Sequence, residues 1–181
     1  NNVSDLKIKI CGVKNHEIAK HAIDAGASFI GFIFYEKSHR NITIENCEQI
    51  LSDIKDLTIP VAVIVNPDDN LLDDLLRIGF KYIQLHGQET HEMVKRIKLK
   101  YNFKIIKAFG ISSSEDLDEL VKYEPFVEYF LLDSPPQANT QGGTGHSFDW
   151  KIIKNLSITK NFFLSGGLNK DNIISAINLK K

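Results

Sequence analysis

The sequence predicts an α/β fold of parallel strands, in its full form a (β/α)8 TIM barrel, and three observations carry that expectation. Short β-rich runs alternate with amphipathic stretches along all 181 residues. The strand-helix-strand unit recurs at roughly 20 to 30 residues, the spacing of right-handed crossovers between parallel strands. Glycines stand where helical stretches end, at Gly26 and Gly79, as left-handed C-terminal caps require.

The elements follow in order. Residues 6–10, 29–34, 61–65, 82–85, 104–108, 129–132 and 161–164 read as strands, which makes seven. Between them Ile18, Ala19, Ala22 and Ile23 share one helical face, as do Leu71, Leu72, Leu75 and Leu76, and then Ile173, Ile174 and Ile177. Cys47 falls on the inner face of a helix that begins after Thr43, which predicts a structural thiol. An open doubly wound sheet would follow the same pattern. Its usual mark is Gly-x-Gly-x-x-Gly after the first strand, and Cys11-Gly12-Val13-Lys14 stands there instead, so the barrel is favoured. No linker or change of composition divides residues 1–181, so a single domain of seven βα units is expected, with residues 135–145 a polar, glycine-rich loop long enough to be a lid.

Composition narrows the function. A chain that is 43% hydrophobic and 25% charged has the make-up of a soluble globular domain, and its 22 basic and 23 acidic residues leave a formal charge of −1. Such a balance offers no field for nucleic acid or an anionic membrane, so a small-molecule partner is expected. No apolar run reaches the roughly 18 residues of a membrane span, and the first residues lack a signal pattern, which predicts a cytoplasmic chain. Two cysteines without Cys-x-x-Cys or His/Cys spacing predict reduced thiols and no zinc.

Both candidate folds bind ligands at the carboxyl ends of their strands. The residues expected there are Cys11, the loop 35–40 with Arg40, Asn66, Gln84 with His86, Lys107 with Phe109, Asp133, and Ser165 with Gly166 and Gly167. Each has a plain structural reading: Cys11 as a small core residue, Asp133 as a turn former before Ser134-Pro135, Arg40 as a solvated charge. Together they bring a thiol, a carboxylate, a guanidinium and an imidazole to one rim, with glycine N–H groups suited to a phosphate. A thiolate can take a proton from carbon while a carboxylic acid gives one to oxygen. That is isomerase chemistry.

Lys9-Ile10-Cys11-Gly12, Gly31-Phe32-Ile33-Phe34 with Ser38-x-Arg40, Val63-x-Val65-Asn66, Gln84-Leu85-His86-Gly87, Leu132-Asp133-Ser134, Gly142-Gly143-Thr144-Gly145 with Phe148-Asp149-Trp150, and Gly166-Gly167-Leu168-Asn169 occur in one order. Together they resemble the phosphoribosylanthranilate isomerase family. The resemblance implies an Amadori rearrangement of N-(5-phosphoribosyl)anthranilate in tryptophan biosynthesis, with no metal or organic cofactor and a monomer or homodimer as the assembly. It implies Cys11 as general base, Asp133 as general acid, and Arg40 on the anthranilate carboxylate. Gly166 and Gly167 would bind phosphate, with Gln84, His86 and Gly143 as further substrate-binding candidates. The family continues into an eighth βα unit, and this sequence stops at Lys181, so a barrel lacking that unit is expected, by trimming or through a swapped or oligomeric closure. Other phosphate-binding barrels, such as ribulose-phosphate epimerase and indole-glycerol-phosphate synthase, call for metal ligands or catalytic lysines, which Cys11 with Asp133 does not match. A non-catalytic relative of the family is the remaining alternative, favoured by the missing unit and opposed by the intact Cys11, Arg40 and Asp133.

Overall fold

In the computed structural model, residues 6–133, 152, 159–166, 168 and 170 are described. The expected helix at Ile173, Ile174 and Ile177 and the loop 135–145 lie outside them. Strand order follows chain order from β1 to β7, and the strand pairs described are parallel. The chain divides into two compact units, Asn1–Ile105 and Ile106–Lys181.

The first unit holds β1 (Lys9–Cys11), α1 (His16–Asp24), β2 (Phe29–Ile33), α2 (Ile44–Ile54), β3 (Ile59–Ile64), α3 (Asp69–Ile78), β4 (Tyr82–Leu85) and α4 (His91–Tyr101). Each helix starts on a residue whose side chain accepts from the backbone three positions on: Asn15 from Ile18, Thr43 from Asn46, Asp68 from Leu71 and Thr90 from Met93. Such caps satisfy one of the orphan donors of a first turn. Gly26 and Gly79 take φ of 94° and 107°, which lets Ala27 donate to Ala22 O and Phe80 to Leu75 O, the hydrogen bonds that close a helix and turn the chain back to the sheet. Both expected caps are present.

Side chains along β2 are buried on both faces, as a parallel strand between layers demands. Phe29, Phe32 and Phe80 are fully enclosed, and edge-on ring contacts join Phe29 to Tyr82 and Phe32 to Phe80. Burying each ring stabilises the fold by about 2 kcal/mol or more. β3 starts two residues earlier than expected and includes Pro60. In a parallel strand successive residues bond to opposite neighbours; Ile59 N donates toward β2, at Ser28 O, so the donor that Pro60 lacks would face β4, whose pairing starts only at Val61–Tyr82.

The second unit holds most of β5 (Lys104–Gly110), then α5 (Ser114–Asp118), α6 (Leu120–Tyr123), β6 (Tyr129–Asp133) and β7 (Phe162–Ser165). The Asp116 carboxylate accepts from Ser112 N and Ser113 N at 2.8 and 3.0 Å, and those amides hold it below the usual carboxylate range. Glu124 accepts from Thr159 N and Thr159 Oγ1, tying the turn before β6 to the segment before β7.

Cys47 is fully buried on α2 beside Ile50 and Leu51 in sequence, as its helical position predicts. Burial pushes its thiol up to about 12. In the unfolded chain the thiol ionises near its ordinary value of about 8.5, so above that pH the folded state holds the proton longer and stability falls as pH rises. The expected slope is about 1.4 kcal/mol per pH unit from this group. Denaturant melts between about pH 9 and 11 should therefore lose stability more steeply for the wild type than for Cys47→Ala; equal slopes would contradict the buried thiol.

Candidate active site

The rim in the first unit is built from β1, β2 and the loops that follow β2, β3 and β4. Cys11 is the last residue of β1, one position further into the strand than expected, because the ladder with β2 pairs Lys9 with Phe29 and Cys11 with Gly31. Residues two apart on a strand share a face, and residues paired side by side share it too. Lys9, Cys11, Phe29, Gly31, Ile33, Val61, Val63 and Gln84 thus line one face of the sheet in this unit. Leu6, Ile8 and Ile10, on the other face of the first strand's segment, are exposed.

Gly31 decides the packing under Cys11. A Cβ added there would lie 3.0 Å from Cys11 Sγ and 3.3 Å from Lys9 Nζ. The missing methyl is the space those two groups occupy. Lys9 is half-buried; burial lowers its ammonium below the usual lysine range, the neighbouring Cys11 raises it and Arg40 lowers it further. Lys9 is a site residue that the motif reading passed over. Its signal was present: in Lys7-Ile8-Lys9-Ile10-Cys11 the cationic positions alternate in phase with the thiol.

Arg40 reaches the same place from the loop after β2. Ser38 Oγ accepts from Arg40 N, and Ile33 pairs with Asn41, so the loop folds back along the end of β2. Arg40 Nη1 donates to Cys11 O at 3.3 Å. Gly12, at φ +86°, admits the approach, since a Cβ there would stand 2.5 Å from Arg40 Cδ. The guanidinium stays exposed, with its remaining donors free of any bond described in the structure.

Glu89 organises the next two loops. Buried to 2% exposure, its carboxylate accepts from Asn66 N at 2.7 Å, just past β3, and from Gly87 N at 2.9 Å, just past β4. Asn66 takes the left-handed conformation, φ 42°, that this bond requires. Gln84 is buried, its Nε2 lies 2.9 Å from His86 Nδ1, and its Oε1 has no hydrogen-bond partner among the described residues. The Gln84–His86 pair therefore sits on the Cys11 side of β4 with an acceptor in reserve.

In the second unit Asp133 closes β6, paired with Gly110 on β5 and Ser165 on β7, while Ile111 N donates to its backbone oxygen. Gly166 follows Ser165 at φ 90°. Lys107, expected at the rim, belongs to the opposite face: it pairs with Phe130, is buried, and lies over the rings of Phe109 and Tyr123 at 5.0 and 5.9 Å. Strand alternation explains the difference, because position 107 is out of phase with Gly110 and Asp133. Gly143 and Gly167 lie outside the described residues. A cleft of about 640 Å³ lined by Lys55, Asp56, Thr58, Pro60, Lys81 and Tyr82 opens at the amino ends of β3 and β4, away from the rim in this unit. Among the described residues no cluster of three or more His, Cys, Asp or Glu could hold a metal, and no described helix is long and apolar enough to cross a membrane.

Parallel strands with crossover helices, carrying a thiol, a carboxylate and a left-handed glycine at strand carboxyl ends, define an α/β enzyme scaffold that works at those ends. The profile of the family described as PRAI, N-(5'phosphoribosyl)anthranilate (PRA) isomerase, matches residues 8–181. The N-(5'-phosphoribosyl)anthranilate isomerase of Brucella canis is 40% identical over 175 residues, 95% of this chain and 79% of that protein. The crystal structure of phosphoribosyl anthranilate isomerase from Thermotoga maritima is 34% identical and aligns with a TM-score of 0.84 over 96% of this chain and 83% of that one. A phosphoribosyl anthranilate isomerase crystallised with reduced 1-(o-carboxyphenylamino)-1-deoxyribulose 5-phosphate is 32% identical, with a TM-score of 0.79 over 96% of this chain and 82% of its own. The chain belongs to the phosphoribosylanthranilate isomerase family.

Removing the Glu89 carboxylate would leave the part-buried amides of Asn66 and Gly87 without their shared acceptor. Glu89→Ala is expected to lower stability by about 2–4 kcal/mol in denaturant unfolding, with Glu89→Gln intermediate. A loss below about 0.5 kcal/mol for the alanine variant would show that the loops stand without it.

Proposed function

We propose that this chain catalyses the family's reaction, the Amadori rearrangement of N-(5-phosphoribosyl)anthranilate to 1-(2-carboxyphenylamino)-1-deoxyribulose 5-phosphate in tryptophan biosynthesis. The reading places the fold as a (β/α)8 TIM barrel, acting as a cytoplasmic monomer or homodimer on a small phosphorylated substrate. The observation that carries it is an anion-binding fork at the end of the strand that bears the thiol: Arg40 Nη1 donates to the Cys11 carbonyl, and Gly12 leaves room for the guanidinium to approach.

Asp133, as a carboxylic acid, gives its proton to the furanose ring oxygen; the ring C–O bond breaks and the nitrogen lone pair forms the C1′=N iminium. Cys11, as a thiolate, takes the proton from C2′, and the C–H electron pair moves to the C1′–C2′ bond while the C=N π pair returns to nitrogen. The enolamine then tautomerises to the ketone. Arg40 holds the anthranilate carboxylate, to which its planar fork is matched. Gly166 offers a left-handed backbone for a phosphate turn, with Gly167 next in sequence; Gln84 and His86 are polar groups for the sugar, and Gly143 is kept as a substrate-binding candidate from its sequence motif.

The test is the loss of substrate fluorescence on adding the chain. Cys11→Ser and Asp133→Asn should each lower kcat by about 10²–10⁴-fold without loss of folding. Arg40→Ala should mainly raise KM, by about 10- to 100-fold, as the loss of a charge-assisted pair predicts. Undiminished turnover in Cys11→Ser, or an unchanged KM in Arg40→Ala, would refute the assigned role.

A further inference from the structure

We propose that Lys14 is a positioning residue for Arg40: by holding the peptide just before the arginine, it keeps the guanidinium in place for the carboxylate of the substrate. The inference rests on the reading of Arg40 as the anthranilate contact.

Two side-chain bonds cross between the loop after β1 and the loop after β2, and they run in opposite directions. Arg40 Nη1 donates back to Cys11 O, and Lys14 Nζ donates forward to His39 O at 3.0 Å. Their partners are 29 and 25 residues apart in sequence, so both are tertiary bonds. The second one matters for where it falls. His39 O and Arg40 N belong to one peptide unit, whose carbonyl accepts from Lys14 while its N–H donates to Ser38 Oγ. A peptide plane bonded at both ends fixes the direction in which the next side chain leaves the backbone, and here that side chain is Arg40.

Little else fastens this stretch. Ser38 N donates to Tyr35 O and Asn41 N to Ser38 O, a turn that shapes the loop from within, and pairing with β2 resumes only at Ile33–Asn41 and Ile42 N to Ile33 O. Tyr35, Glu36, Lys37, His39 and Arg40 are exposed, so burial does not anchor them. The other end of the Lys14 bond is firm. Val13 is fully buried and donates from its backbone to Gly31 O, while Asn15 caps α1 by accepting from Ile18 N. Lys14 stands between these two fixed residues and lends their rigidity to the loop that carries Arg40. Without it, the guanidinium is in place in a smaller fraction of molecules, and apparent affinity falls by that fraction. Cys11 and Asp133 are untouched once substrate is bound, so the cost falls on KM.

The test is calorimetric binding of reduced 1-(o-carboxyphenylamino)-1-deoxyribulose 5-phosphate to the wild type, Lys14→Met, Arg40→Ala and the double variant, with isomerase kinetics alongside. Lys14→Met is expected to raise Kd and KM by about 5- to 10-fold and to leave kcat within about 2-fold. In the Arg40→Ala background the same substitution should change Kd by less than about 2-fold, because the group it positions is gone. An unchanged Kd in Lys14→Met overturns the proposal. So does an equal loss with and without Arg40, since Lys14 would then act on the ligand through its own charge. Weakened binding in Arg40→Ala beside an unaffected Lys14→Met sinks this proposal alone; a wild type that does not bind the compound, or an Arg40→Ala that binds it as the wild type does, sinks the reading of Arg40 and this proposal with it. Lys14→Ser carries the comparison should Lys14→Met fail to fold.

Discussion

The pairing of Cys11 with Gly31 in the β1–β2 ladder is the constraint on which the rest of the site depends. A side chain at position 31 would meet Sγ at 3.0 Å and Nζ at 3.3 Å, so the thiol and the ammonium would each have to give way by a few tenths of an ångström. A register slip of one residue would have the larger effect, since it turns every side chain of β1 over and would put Ile10 where Cys11 is needed. The register is held by Ile8 O, which accepts from Ser28 N and Phe29 N, and by Gly31 O, which accepts from Gly12 N and Val13 N. Backbone bonds on both sides of the pair therefore fix the chemistry in place.

Around that pair the first unit uses one device repeatedly: a polar side chain in a strand or in the loop after it holds a neighbouring group. Ser38 holds the backbone of Arg40, Glu89 joins the loops after β3 and β4, and Gln84 sets His86. Each bond replaces water on a backbone or ring group that the loop could not satisfy alone. The rim is consequently built on the strands beneath it, so that side chains from distant parts of the sequence meet with little freedom to drift.

Much of this was legible in the sequence, for reasons that differ by residue. Strands and the α1 and α3 caps were visible because hydrophobic alternation and Gly26 and Gly79 are local signals. Cys11, Arg40 and Asp133 could be placed at strand ends because parallel crossovers put every such end on one side. The α4 helix was not named, since Val94, Ile97 and Tyr101 form a sparse apolar stripe among five basic and acidic neighbours in His91–Tyr101. The true start of β3 was hidden by Pro60, whose tolerance depends on where β4 begins to pair. Lys107 was misplaced because counting residues past a strand ignores its phase, and Glu89 and Lys9 needed partners, Asn66 and Gly31, that only tertiary structure supplies.

The family's chemistry needs Cys11 and Arg40 to address one bound molecule, and that claim has a direct test. Reduced 1-(o-carboxyphenylamino)-1-deoxyribulose 5-phosphate, the compound crystallised with a relative of this chain, is titrated while the alkylation rate of Cys11 is followed. The account predicts saturable protection of Cys11, shifted to higher concentrations of the compound when Arg40 is replaced by alanine. An alkylation rate unaffected at every concentration, or protection indifferent to Arg40, would contradict it.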